Sequence, residues 1–367
     1  MRKNYQLSDC FVASALGVGN EETLENYLAH KAPGMKELEG DIPSRKIYFG
    51  MVPGELPEIA DEKMRTRTNA LLELAISKMP SLKALVEKYG AKRVGIVLGA
   101  SNTGIDEAQR FVDEWLDKGE KPEALDFSMI ELGTPAKYLK MRLGVEGPCY
   151  VVSTACSSAT KAFGAARRLI EKGVIDAAIT GGVDGRCRFA MNGFHALGAL
   201  SEGRCRPLAP DRDGINLGEG VALFTMESVS LKDAEAPGVV YLKGIGETSD
   251  AYHATAPDPE GKGAAAAMNA ALEDANMLPQ EIGYVNLHGT GTQANDAMET
   301  RAVQQVFGSL CATEIESTKD LTGHCLGAAG AVEAALCYLL IKSRHTPNAL
   351  SNSFAFGGSN ASIVLSA

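Results

Sequence analysis

The residues best placed for chemistry begin with a thiol. In "VVSTACSSATKAFGAARRLIEKG", residues 151–173, Cys156 stands where an apolar, β-branched run gives way to small residues. Ala162, Phe163, Ala166, Leu169 and Ile170 then recur at helical spacing, which predicts an amphipathic helix opening beside the cysteine. Unpaired N–H groups and the positive dipole end at a helix start favour thiolate over thiol, so a lowered thiol pKa is expected there. The same N–H groups can steady an oxyanion forming on a bound carbonyl. Cysteine is also a frequently buried small hydrophobe, so its partners decide the reading. "NLHGTGTQAND" puts His288 just past a short apolar strand, on a Gly/Thr loop that can face a cleft. "STKDLTGHCLGAAGAVEA" puts His324 at a second helix start, five residues after Lys319. Pairing with histidine is a general route to an activated thiolate.

The elements that would carry these residues follow from pattern. "DCFVASALGVGNEETLENYLAHK" reads as a strand, a glycine turn and a helix opened by acidic residues. Residues 61–88 read as helix broken at Pro80, and "KRVGIVLGASNTG" as a buried strand ending in a polar turn. "VIDAAITGGVDG" is another buried strand, and residues 218–228 and 239–248 read as neighbouring strands joined through "LKDAEAPG". Textures then recur in order: "EIGYVNLHGTGT" matches "RVGIVLGASNTG", the His324 segment matches the Cys156 segment, and "FGGSNASIVLSA" resembles "LGEGVALFTMES". Three echoes predict two related α/β halves, residues 1–232 and 233–367, each a sheet covered by helices. Functional sites in such folds gather at strand C-terminal ends and helix starts.

Composition narrows the classes further. The 367 residues are long enough for a large core, and 45% hydrophobic with 22% charged residues is ordinary for a globular protein. A net charge of −10 argues against general nucleic-acid binding. Lys63, Arg65 and Arg67, or Arg204 and Arg206, remain candidate basic patches for an acidic partner. No apolar run approaches a membrane span, and the first residues lack a signal-peptide core. The eight cysteines are scattered without a CxxC pair, so neither a metal nor a disulfide framework is expected, and a cytoplasmic chain is the simplest reading. "GVGNEE" is a poor dinucleotide fingerprint and no GxxxxGK[ST] occurs.

Taken together, "GPCYVVSTACSS", "RPLAPDRDGINLGEG", "SDAYHATAPDPEG", "HGTGT", "TKDLTGH" with "LGAAGAVEA", and "NSFAFGGSNAS" resemble the β-ketoacyl-acyl-carrier-protein synthases, in the family's order over nearly the whole chain. The resemblance implies a thiolase-like fold of layered α/β/α/β/α architecture. It implies an acyltransferase that holds an acyl chain on Cys156 and condenses it with malonyl-acyl-carrier protein, with loss of carbon dioxide. His288 and His324 would hydrogen-bond the malonyl thioester carbonyl, and a Cys-His-His set is similar to that of elongating members. Lys319 and Glu333 would support the His324 side. Thr290 and Thr292 would meet the phosphopantetheine arm, which arrives on the carrier protein, so no resident cofactor is implied. Asp296 and Glu299 would brace the His288 loop. Phe356 would be the gate, its N–H joining that of Cys156 as oxyanion donors. Implied partners are acyl carrier protein, malonyl and acyl thioesters, and a second chain in a homodimer or a heterodimer with a related ketosynthase subunit.

Departures from the family pattern bear on detail. Ala355 stands where glycine is usual, so its Cβ is expected to restrict the gate. Leu208, Ala209 and Ile215 replace the common Phe, Asp and Phe, and the chain is shortened between residues 40 and 145. Two other readings stand beside elongation: a non-elongating partner subunit, and a thiolase-type enzyme using coenzyme A thioesters. The intact Cys-His-His set opposes the first, and the lack of cysteine in "AFGGSNAS" opposes the second.

Overall fold

The computed structural model describes residues 4–43, 45–229, 238–308 and 313–367. The chain opens with β1 (Asn4–Ser14), β2 (Gly17–Val18), α1 (Asn20–Leu28) and a hairpin of β3 (Met35–Ile42) and β4 (Arg45–Gly50). There follow α2 (Arg67–Lys78), α3 (Ser81–Tyr89), β5 (Val94–Gly99), α4 (Ile105–Lys118), α5 (Thr134–Leu143) and β6 (Cys149–Val152). Next come α6 (Ser158–Glu171), β7 (Ala177–Asp184), α7 (Arg188–Ala196), β8 (Leu217–Gly218) and β9 (Gly220–Val229). The remainder holds β10 (Val240–Ser249), α8 (Lys262–Ala275), β11 (Tyr284–Asn286), α9 (Gln293–Phe307) and β12 (Glu314–Glu316). It closes with the one-turn α10 (Lys319–Thr322), α11 (Ala329–Lys342), β13 (Asn348–Ala355) and β14 (Ser359–Ser366). Pro80 separates α2 from α3, since proline cannot continue a helix interior. Thr66 starts α2 by accepting the Asn69 N–H at 3.1 Å.

The main sheet runs β12-β11-β13-β14-β10-β1-β9-β7-β5-β6. Outward from β1 the pairings are antiparallel to β9, antiparallel to β7, then parallel to β5 and β6. Outward from β10 they are antiparallel to β14, antiparallel to β13, then parallel to β11 and β12. The same order and sense thus read from the middle in both directions. The expected boundary between residues 232 and 233 lies within 230–237, outside the described residues. One expectation is corrected. β9 and β10 are not neighbours, because β1 lies between them, pairing with β9 from Asn4 to Ala13 and with β10 from Tyr5 to Leu7. The first strand thus satisfies the backbone edge that a local hairpin would have used.

Two helices occupy the centre. Helix α6 packs on β5, β7 and β14, and α11 packs on β13, β9, β1 and β7, so both touch strands from each side of the sheet. Every residue of α11 from Ala329 to Ile341 is buried. Helices α2, α3 and α5 cover the β5–β9 side and α8 packs on β10 and β14, giving alternating layers of helix and sheet. The helix pair meets closely: a Cβ on Gly330 would lie 2.0 Å from the Thr160 hydroxyl of α6. Only glycine permits that approach.

Candidate active site

Cys156 sits in the turn from β6 to α6, two residues before the helix begins. Ala155 before it has φ 53°, a left-handed conformation unfavourable for alanine. Local hydroxyls hold that turn. Ser158 Oγ donates to the Ala155 carbonyl at 2.5 Å and accepts the Thr154 N–H at 2.8 Å. Ser157 Oγ donates to the Thr154 carbonyl at 2.9 Å and meets Ser359 Oγ at 2.9 Å, which ties the turn to the C-terminal loop. The sulfur is therefore aimed by strain and hydroxyl bonds as well as by the helix.

His324 Nε2 lies 3.0 Å from Cys156 Sγ. Its Nδ1 accepts the Leu326 backbone N–H at 3.1 Å, so a neutral ring carries its proton on Nε2 and presents a donor to the sulfur. The backbone of His324 is fixed on both sides, its N–H to the Asn216 carbonyl at 2.7 Å and its carbonyl to the Gly218 N–H at 3.0 Å. His288 stands edge-on to His324, ring centroids 5.2 Å apart. One ligand atom each from Cys156, His288 and His324 lies within 4.8 Å of the others. Burial, then the charge of Lys319, pushes both imidazoles well below their usual pKa, so both are neutral at pH 7. This sulfur–imidazole set could also hold a soft metal ion such as zinc, although the Lys319 charge opposes a dication there.

The thiol itself departs from expectation. Burial pushes Cys156 up to about 12, and Lys319 together with the N–H groups of Cys156 and Phe356 only moderates the rise, while Glu333 adds to it. A helix start is present, but desolvation of a buried anion outweighs it. The resting group is a neutral thiol surrounded by donors that would welcome negative charge.

Further polar residues surround this set. Lys319 (1% exposed) and Glu333 (2% exposed) form a buried ion pair beneath the histidines. Glu299 accepts the backbone N–H groups of His288 and Gly289, each at 2.7 Å, and burial raises it to about 7. Asp296 is buried, accepting from Gly291 at 3.2 Å and Leu208 at 2.8 Å and facing Arg212 at 3.4 Å. Both acids brace the His288 loop; neither is a solvated helix start. Thr290 and Thr292 hydroxyls lie 2.9 Å apart, and Thr292 also starts α9 by accepting the Asn295 N–H at 3.4 Å.

Cys156, His288, His324, Thr290, Thr292, Phe354 and Phe356 line one cavity of about 340 Å³. Phe356 is 40% exposed, and its ring lies 5.9 Å from that of Phe194 across the cavity. Ala355 has φ −106° and ψ 155°, extended backbone that any residue adopts, so its Cβ is unstrained in this position of the loop. Gly357 and Gly358 supply the left-handed turn after it, and the Gly358 carbonyl accepts the Asp250 N–H at 2.8 Å. Of the basic candidates, Arg67 is committed to Glu219 at 2.5 Å, Lys63 faces Asp126, and Arg206 faces Asp211 on the surface. Arg204 donates to the Asp320 carbonyl at 2.7 Å.

Sequence reasoning missed Leu326, Asn216, Ala155 and Phe194. The first three act through backbone atoms, which no side-chain type announces, and Phe194 reads as an ordinary apolar helix residue.

Residues 33–232 match the model of the β-ketoacyl synthase N-terminal domain and residues 239–352 that of its C-terminal domain. The chain is 35% identical over 317 residues to 3-oxoacyl-[acyl-carrier-protein] synthase 2 of Staphylococcus aureus, covering 76% of this chain and 78% of that one. It is 32% identical over 315 residues to the chloroplastic 3-oxoacyl-[acyl-carrier-protein] synthase I of Hordeum vulgare, 76% and 68% of the two chains. Among solved structures it is similar to one of a ketosynthase in complex with its chain length factor from Xenorhabdus doucetiae. There the TM-score is 0.92 at 38% identity, over 99% of this chain and 98% of that one. A β-ketoacyl synthase of Burkholderia phymatum superimposes with TM-score 0.84 at 26% identity, covering 100% and 99%.

Proposed function

The chain belongs to the β-ketoacyl synthase family, with its thiolase-like fold, and we propose that Cys156 is the acyl-accepting nucleophile and His288 and His324 the decarboxylation donors. The enzyme is an acyltransferase that condenses an acyl thioester with malonyl-acyl-carrier protein to give a β-ketoacyl-acyl-carrier protein. One observation carries the residue assignment: a thiol, two neutral imidazoles and two backbone N–H donors face one cavity.

In the first half-reaction Cys156 Sγ attacks the thioester carbonyl, and the oxyanion meets the N–H groups of Cys156 and Phe356. The carrier's thiol leaves with the proton that Cys156 gave up. The thiolate forms only transiently, steadied by His324 Nε2–H, which offsets the burial that holds the resting thiol neutral. In the second, the malonyl thioester carbonyl takes hydrogen bonds from His288 and His324. Carbon dioxide departs, and its bonding electrons become an enolate held by those donors. The enolate carbon attacks the acyl carbonyl on Cys156, the C–S bond breaks, and the chain leaves two carbons longer. Lys319 serves twice, keeping both rings neutral and adding positive potential where the enolate charge develops. Glu333 holds that ammonium in place.

Thr290 and Thr292, on the cavity wall, suit the amides of a phosphopantetheine arm delivered by acyl carrier protein. A second ketosynthase-type chain, a copy or a related subunit, is the proposed oligomeric partner. No helix among the described residues is long and apolar enough to cross a membrane, and the described cysteines are unpaired, which supports a cytoplasmic setting.

Variants separate the roles. Cys156→Ala should abolish acyl transfer, whereas His324→Ala should still form the acyl adduct yet lose about 10²–10³-fold in malonyl decarboxylation, measured as carbon dioxide release. Equal loss of both steps in His324→Ala would overturn the assignment.

A further inference from the structure

A second buried constellation lies behind His324. Asp184, the last residue of β7, is wholly buried and has no ion-pair partner among the described residues. Its carboxylate instead gathers donors from the loop after β5. The Ser101 N–H donates to Oδ1 at 3.0 Å, Ser101 Oγ to Oδ2 at 2.8 Å, and the Asn102 N–H to Oδ1 at 2.6 Å. The Gly327 N–H also donates toward this carboxylate and reaches Ser101 Oγ at 3.2 Å. Gly327 belongs to the short helical turn Leu326–Ala328, which leads from His324 into α11. The approach is close: a Cβ on Gly327 would lie 2.8 Å from Asp184 Oδ2 and 2.7 Å from the Ser101 nitrogen.

Leu326, next to Gly327, has φ 50°. That is left-handed backbone, which a leucine keeps only where its surroundings enforce it. Its N–H is the group that occupies His324 Nδ1. We propose that Asp184 is a positioning residue for His324: by gripping Ser101 and Gly327 it holds Leu326 in the left-handed turn, and so keeps the His324 proton on Nε2, toward Cys156. The proposal rests on the role given above to His324.

A carboxylate fits this task better than any neutral side chain. All of its neighbours here are donors, and an amide would turn its own N–H₂ against one of them. The thiols of Cys187 and Cys325 are the titratable groups whose ionisation Asp184 opposes. Burial raises Asp184 to about 7 despite its hydrogen bonds, so the donors around it are what keep the acceptor form accessible near neutrality.

The test uses the full chain with Asp184→Asn and Ser101→Ala, made separately, and His324→Ala as a reference. Three readouts are taken: Cys156 acylation by acyl-carrier protein, kcat and KM for malonyl-carrier-protein decarboxylation, and the pH profile of Cys156 alkylation by iodoacetamide. Asp184→Asn is expected to lower decarboxylation kcat by about tenfold or more. KM should stay within about threefold, a spread too small to signal a lost binding contact, and acylation should fall by clearly less than decarboxylation, because the sulfur loses only one of its donors. Its alkylation profile should move to higher pH, because a mis-set His324 no longer donates to the sulfur. Ser101→Ala, which leaves Asp184 in place, should move each readout the same way by less, and it decides the matter if Asp184→Asn does not fold. The proposal is overturned if the folded variants keep the parent's decarboxylation rate and alkylation profile. It is also overturned if acylation and decarboxylation fall in step while His324→Ala separates them. If His324→Ala itself fails to separate the two steps, the functional reading is what fails.

Discussion

Cys156 illustrates how burial and hydrogen bonding contend at one atom. Its thiol is raised to about 12 because desolvation is the largest influence on it. A raised thiol pKa means that each unit of pH increases the thiolate fraction about tenfold until the pKa is approached. Alkylation of Cys156 by iodoacetamide should therefore keep accelerating from pH 7 to 10, and a plateau below pH 9 would contradict the burial argument. The Lys319–Glu333 pair makes a second prediction. Glu333→Ala strands a buried ammonium and should destabilise the protein by about 3–5 kcal/mol in urea unfolding, whereas an unchanged midpoint would show the charge to be relieved elsewhere. Cys156, His288 and His324 were legible in the sequence because their side chains carry the chemistry and their loops carry the spacing. The tautomer of His324 was not, since it is set by the Leu326 N–H, and any residue but proline supplies one. The thiol's pKa was misjudged for a related reason: a helix start can be read from periodicity, but the depth at which it is buried cannot.

At the scale of elements, two of the compared segments hold matching places in the sheet. β5 and β11 are both short buried strands flanked by parallel neighbours, and the loops after them deliver Ser101 and His288. Helices α6 and α11 both start beside the site, one bearing Cys156 before it and the other His324. The placement of β1 between β9 and β10 escaped the sequence because strand order is a long-range choice, and local pattern favours sequential neighbours. The α6–α11 contact is open to test. Gly330→Ala sets a methyl against Thr160 and should destabilise by about 1–3 kcal/mol or more, read as a lower denaturation midpoint. An unshifted midpoint would mean the helices can part without penalty. Ala355 lies in extended backbone, so Ala355→Gly should leave stability nearly unchanged and show its effect, if any, on acylation rate through the mobility of Phe356.

At the scale of the whole molecule, several large apolar side chains stand exposed among the described residues. Leu116 of α4 is 78% exposed and Phe127 72%, Phe189 of α7 is also exposed, and α4 packs against both α7 and the turn holding Phe127. β6 is an edge strand whose outer side has no partner among the described residues. Such faces are covered in stable proteins. Sedimentation equilibrium should therefore find the chain at twice its 38.7 kDa mass, and Leu116→Glu with Phe127→Glu should shift it toward monomer. A monomer at tens of micromolar (roughly the concentration at which weak contacts fail) would show that a different, related chain is needed.

The central claim is that Cys156 carries the growing chain and the two histidines drive its extension by malonyl decarboxylation. Intact-protein mass spectrometry with peptide mapping tests it in one sequence of additions. Acyl-carrier protein should add one acyl group, located on the peptide containing Cys156. Malonyl-carrier protein should then discharge it, returning the protein to its starting mass and yielding a β-ketoacyl-carrier protein two carbons longer. Acylation at another residue, or an acyl-Cys156 that malonyl-carrier protein leaves untouched while it loses no carbon dioxide, would contradict the account.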